Sequence, residues 1–147
     1  MRSILTIAIL FLSVATFAQS PVKWSYASKK VSEGTYEVRI SASVSNPWHI
    51  YSQASPEDAA TPTKIVFKKS PLLTLQGTAK ENGKMISKFE ESFGKTVKFY
   101  EGQVEFVQIV KVKGKAKTKI SGTIEYMVCN DHECQPGEPV DFLVALN

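Results

Sequence analysis

The sequence predicts an all-β, immunoglobulin-like β-sandwich of a single domain, and three observations lead there. Apolar residues recur at every second position, the runs that carry this alternation are short, and Pro, Gly, Asn and Ser punctuate them. No window sustains the 3.6-residue period of an amphipathic helix.

Taken in order, the chain opens "MRSILTIAILFLSVATFAQS", with Arg2 as a short basic head and an uncharged apolar run from Ile4 to Val14. Thr16-Phe17-Ala18 then places small residues three before and one before a cut ahead of Gln19. The run is too short for a spanning helix, so residues 1–18 are expected to be a secretory signal that is removed. Residues 19–147 then form one domain in an oxidising compartment, where disulfides persist. "TYEVRISASV" sets Tyr36, Val38, Ile40, Ala42 and Val44 on one face against Glu37, Arg39, Ser41 and Ser43 on the other, the pattern of a half-buried strand. "KIVFKK", "LLTLQG", "KMISKF", "TVKFY", "QVEFVQIVKV", "KISGTIEYMV" and "VDFLVAL" supply the remaining strands, giving seven or eight in all. "SPEDAATPTK" contains helix formers, but Pro56 and Pro62 interrupt it, and it reads as a loop.

A formal net charge of +4 over 147 residues is mild. Lys111, Lys113, Lys115, Lys117 and Lys119 alternate in "KVKGKAKTKI", which on extended chain lines them along one side of a hairpin. Aromatic interleaving is absent there, so these lysines read as a solvated face or as charges that blunt a sheet edge, and no nucleic-acid partner is expected.

Both cysteines of the chain, Cys129 and Cys134, stand in one short stretch, "EYMVCNDHECQPGEPVDF". An immunoglobulin-type inter-sheet bond joins strands distant in sequence, whereas this pair closes a local ring. The chain-entropy model assigns such a ring about 2 kcal/mol, against roughly 4.7 kcal/mol for a hundred-residue loop, so the placement resembles chemistry more than scaffolding. Spacing leaves three readings open: a structural disulfide, a redox-active pair, and a metal site that adds His132 and His49 to the two sulfurs.

"YMVCNDHECQPGEPVDF", with "NPWHIYSQ" at residues 46–53, "TPTKIVF" at 61–67 and "FEESFGKTVKFYEG" at 89–102, resembles the amino-terminal periplasmic domain of the thiol:disulfide interchange protein DsbD. The likeness runs in order from about Trp24 to Leu146. It implies an immunoglobulin-like domain whose cysteine pair takes electrons from a membrane-embedded dithiol donor and passes them to periplasmic thioredoxin-like thiol proteins. No organic cofactor or metal is implied, and the chain is expected to work as a monomer. Cys129 and Cys134 match the family's pair, and the second cysteine, here Cys134, is the one expected to form mixed disulfides with partners.

Two departures accompany the resemblance. Family members typically place five residues between the cysteines, and this chain has four. The family's cap loop, acidic-acidic-aromatic-aromatic-glycine, reads here Glu90-Glu91-Ser92-Phe93-Gly94. Ser92 thus falls where the capping aromatic would be, leaving Phe93 as the candidate to shield the pair. The membrane and thioredoxin-like domains of full-length members are not in this sequence, so the donor is expected to be met as a separate protein.

Around the pair, Asp131 and Glu133 flank the loop and Glu90 and Glu91 are expected nearby. Negative charge raises a thiol's pKa and slows unproductive exchange, although acids in exposed loops often form no more than a solvated rim. His132 is a candidate proton acceptor beside Cys134. Pro136 and Pro139 restrict the chain's exit. Trp48 and Tyr51 read as packing residues, and Tyr126 either lies under the disulfide or belongs to the core. The different-class alternative is a secreted immunoglobulin-like binding or accessory module with an inert structural disulfide.

Overall fold

Residues 20–114 and 117–147 are described by the structure, a computed structural model; the expected signal at residues 1–18, and Lys115, lie outside the described residues. The chain runs through β1 (Val22–Ser32), β2 (Thr35–Val44), β3 (His49–Tyr51), β4 (Lys64–Phe67), β5 (Leu73–Gly83), β6 (Ile86–Glu90), β7 (Lys95–Tyr100), β8 (Gly102–Val112), β9 (Thr118–Glu125), β10 (Met127–Cys129), β11 (Cys134–Pro136) and β12 (Val140–Leu146). Among the described residues every regular element is a strand, as the alternation requires.

Three antiparallel sheets result, in the orders β1-β2-β8-β5, β12-β9-β4 and β11-β10-β3-β7-β6. The first two face each other as a sandwich. Val38, Ile40, Ala42 and Val44 of β2 and Val104, Phe106 and Val110 of β8 meet Ile120 and Ile124 of β9 and Phe142, Val144 and Leu146 of β12 in one buried cluster. This is the all-β immunoglobulin-like architecture that the period-two pattern predicts.

Some elements differ from the sequence expectation. β1 was not expected, yet Val22, Trp24 and Tyr26 alternate inward and the strand pairs with β2 along most of its length. "KISGTIEYMV" is not one strand: it breaks at Tyr126, where the chain leaves the β12-β9-β4 sheet and enters the five-stranded one. Tyr126 is buried and packs edge-on against Trp24 at 5.3 Å. Gly137 lies so close to that ring that a Cβ would sit 2.4 Å from it, which calls for glycine there. The lysine run does not decorate a hairpin either, because β8 and β9 belong to different sheets and each is an interior strand. Lys111, Lys113, Lys117 and Lys119 are exposed, so the solvated face holds and the blunted edge does not.

The five-stranded sheet is two-faced, and its alternation positions the site. Ile50, Tyr100 and Val128 point into the main cluster. Their strand neighbours Tyr51, Val97, Phe99 and Cys129 point the other way and form a second, smaller cluster with Ala59 and Ala60. Those two alanines come from the "SPEDAATPTK" loop, which is a succession of turns laid along this face and tied to β7 by the ion pair of Lys95 with Asp58. A buried polar clasp joins the two regions. The Glu81 carboxylate, on β5, accepts hydrogen bonds from Ser52 Oγ (2.6 Å), the Gln53 amide (2.6 Å) and the Tyr100 hydroxyl (2.9 Å). Burial, and then the Glu81 partner, hold the Tyr100 hydroxyl well above the ordinary phenol range.

Candidate functional site

Cys129 closes β10 and Cys134 opens β11, and the two are direct cross-strand partners joined by a disulfide with Cα atoms 4.1 Å apart. The four residues between them turn tightly. The Asn130 side chain accepts hydrogen bonds from the amides of His132 (2.8 Å) and Glu133 (2.9 Å), while its own amide donates to the Glu133 carbonyl (2.9 Å). An Asx turn of this kind satisfies the loop's backbone without help from the rest of the fold. Asn130 is a site residue that sequence reasoning missed. Asn followed by polar residues between two cysteines is the signal that marks it.

The row of paired residues extends one strand further, because Cys129 is also the partner of His49 on β3. Directly opposed residues of an antiparallel ladder project from the same face of the sheet, with Cβ atoms about 4.5–5.5 Å apart. Cys134, Cys129 and His49 therefore stand in line. The adjacent row across β3, β7 and β6 is Tyr51, Phe99 and Ile86. The His49 ring lies against Phe99 at 4.4 Å between centroids and meets Tyr51 edge-on at 5.3 Å.

These rows floor a cleft of about 600 Å³. Its rim is formed by the disulfide loop, with Asp131, His132 and Glu133, and by the β6–β7 turn, with Ser92 and Phe93. That turn is closed by hydrogen bonds from the Phe93 amide to the Glu90 carbonyl and from Gly94 to Glu91, with Gly94 at φ 63°, a conformation that favours glycine. Phe93 is 40% exposed and overhangs the cleft from the side opposite the cysteines. Glu90 lines it too, paired with Lys88 at 2.9 Å.

Of the residues singled out in the sequence, Cys129, Cys134, Phe93, Glu90, Asp131 and His132 thus share one cleft. Glu91 is exposed and does not line it, and Tyr126 is core on the other side of β10. Tyr51 packs in the smaller cluster and Trp48 against the main one. The cleft also gathers His49, which the sequence offered only as a metal ligand beside the sulfurs, and Phe99 and Lys88, which it passed over. No group of three or more His, Cys, Asp and Glu side chains suited to a metal ion is found among the described residues. The two sulfurs are committed to one another.

The two cysteines differ sharply in access: Cys129 is 1% exposed, within the smaller cluster, while Cys134 is exposed on an edge strand. The His49 imidazole has its pKa lowered, chiefly by burial; Glu101, Glu90 and Asp131 act in the opposite sense. Burial likewise raises the Tyr51 phenol, with Glu90 adding to the effect.

A family model described as "Thiol:disulfide interchange protein DsbD, N-terminal" matches residues 18–146. The chain belongs to the DsbD N-terminal family. Its bonded pair, Cys129 and Cys134, and that membership together make it a thiol–disulfide exchange module. Among solved structures it is similar to the N-terminal periplasmic domain of ScsB from Proteus mirabilis, with a TM-score of 0.57 and 14% identity over 90% of this chain and 49% of that one. The chain therefore spans about half the length of that structure. It is also similar to a structure of the complex between the DsbD N-terminal and PilB N-terminal domains from Neisseria meningitidis, with a TM-score of 0.53 and 14% identity over 86% and 84% of the two chains. At such identity these likenesses speak for the fold. A comparison with curated proteins finds no match.

Proposed function

We propose that this chain is a periplasmic carrier of reducing equivalents that takes electrons from a membrane-embedded dithiol donor and delivers them to thioredoxin-like thiol proteins. The observation that carries this reading is the unequal exposure of the two cysteines across one hairpin. Exposed Cys134 attacks the partner's disulfide and forms the mixed disulfide, and buried Cys129 resolves it. The complex of the Neisseria DsbD N-terminal domain with a PilB domain supports a protein partner, and the periplasmic ScsB domain supports the compartment. The leader-like residues 1–18 agree with export. Phe93 and the acids Glu90, Asp131 and Glu133 would restrict small thiols while leaving a partner's loop room to enter.

Trapping tests the assignment. Reduced Cys129→Ala, mixed with an oxidised thioredoxin-like protein, is expected to accumulate a covalent complex through Cys134, visible on a non-reducing gel, and Cys134→Ala much less. Equal trapping by both variants would overturn the roles. A wild-type pair that equilibrates with glutathione only below about −300 mV would instead be an inert structural staple.

A further inference from the structure

The mechanism so far leaves the buried thiol without a proton acceptor. Cys129 is the resolving sulfur, yet it is only 1% exposed, packed with Tyr51, Val97 and Phe99 in the floor of the cleft, so little water touches it to carry its proton off. A thiol does not attack; its thiolate does. His49 is the cross-strand partner of Cys129, projects from the same face of the ladder, and lines the same cleft.

Building on the proposed exchange function, we infer that His49 is the proton acceptor for Cys129 in the resolving step. His132, the histidine nearer to Cys134 in sequence, is exposed in the Asx turn at the rim of the cleft and has no ladder partner, whereas His49 pairs directly with Cys129. The groups that face His49 are Tyr51 on its own strand, Lys88 and Glu90 on β6, Glu101 after β7 and Asp131 in the disulfide loop. Burial favours the neutral, proton-accepting imidazole, and the three carboxylates favour the imidazolium once it forms. Packing between Phe99 and Tyr51 holds the ring in place.

After Cys134 has attacked the partner's disulfide, Cys134 Sγ is bonded to one partner sulfur and the other has left as a thiolate. The Cys129 S–H gives its proton to a ring nitrogen of His49. The resulting thiolate attacks Cys134 Sγ, the Cys129–Cys134 bond forms, and the Cys134–partner bond breaks with its electron pair on the partner's sulfur. That sulfur takes up the proton from the imidazolium. Two thiols of the carrier are oxidised and one disulfide of the partner is reduced.

The chromogenic disulfide 5,5′-dithiobis(2-nitrobenzoate) separates the two steps in stopped flow, because reduced protein releases one thionitrobenzoate on attack by Cys134 and a second, in a unimolecular phase, on resolution by Cys129. In His49→Phe, which keeps an aromatic ring in the packing, the second phase is expected to slow by about tenfold or more near pH 7, within the range general bases contribute. Its rate should then climb towards the alkaline ionisation of the thiol itself, about 8.5 for an unperturbed cysteine. The first phase should be nearly unchanged. In His49→Ala, which leaves space, added imidazole should restore part of the lost rate. An unchanged second-phase pH profile in His49→Phe, a loss that imidazole does not restore in a folded His49→Ala, or the same loss appearing in His132→Gln instead would each overturn the assignment. A wild type that releases a single thionitrobenzoate would overturn the exchange function, and this inference with it.

Discussion

The main cluster and the smaller one beneath the disulfide are built from the same kinds of residue but are enclosed differently. In the first, Val38, Ile40, Phe106 and Ile124 are shut off completely between facing sheets. In the second, Tyr51, Val97, Phe99 and Cys129 are covered on one side by their own sheet and on the other by two alanines, an overhanging turn and an open cleft. Strand alternation keeps the two apart: Ile50, Tyr100 and Val128 serve the fold, and their neighbours Tyr51, Phe99 and Cys129 serve the site. Stability and reactivity are therefore assigned to opposite faces of one sheet, and substitutions should divide the same way.

The largest expected effect comes from Phe106→Ala, which empties the middle of the main cluster and should lower unfolding free energy by about 3–5 kcal/mol in urea titration. Phe99→Ala, at the open cluster, is expected to cost about 1–3 kcal/mol because the cleft lets the site collapse or fill with water. Equal losses would break the comparison.

Reduction of the Cys129–Cys134 bond comes next. A ring this small constrains the unfolded chain little, so reduction should leave the β-type circular dichroism intact and cost about 1–3 kcal/mol. Unfolding on reduction at room temperature would move the pair to the structural side of the division.

The smallest effect on stability belongs to Phe93→Ala. With its ring 40% exposed on a turn, the change should fall within about 0.5 kcal/mol. A small reductant should nonetheless attack the oxidised pair several-fold faster. Unchanged attack kinetics would show that the overhang does not guard the sulfurs.

Much of this organisation was legible in the residues. "TYEVRISASV" and "VDFLVAL" coincide with β2 and β12, because alternation over a half-buried face reports local geometry directly. β1 escaped because its apolar alternation is short: after Val22, Trp24 and Tyr26 the inward phase passes to Ser28 and Lys30, while Ala27 and Val31 fall on the outward one. The break at Tyr126 is invisible to a period-two pattern, since the alternation continues through the change of sheet and Gly137, across the hairpin, is what makes room for it. The cysteines announced the site by composition, and the resemblance supplied the cap. The sequence offered His49 only as a metal ligand beside the sulfurs, with no means of fixing its position. Its tie to Cys129 is a cross-strand register, set by the pairing of strands distant in the chain.

The redox hairpin leaves β11 as a free sheet border, and this bears on how the protein meets other chains. The Gly137 amide bonds inward to the Tyr126 carbonyl, so by alternation the nitrogen of Pro136 faces outward, where it has no hydrogen to offer. A border of three residues that lacks this donor is a poor template for a second copy. The border that carries Cys134 is thus a poor seed for edge-to-edge pairing.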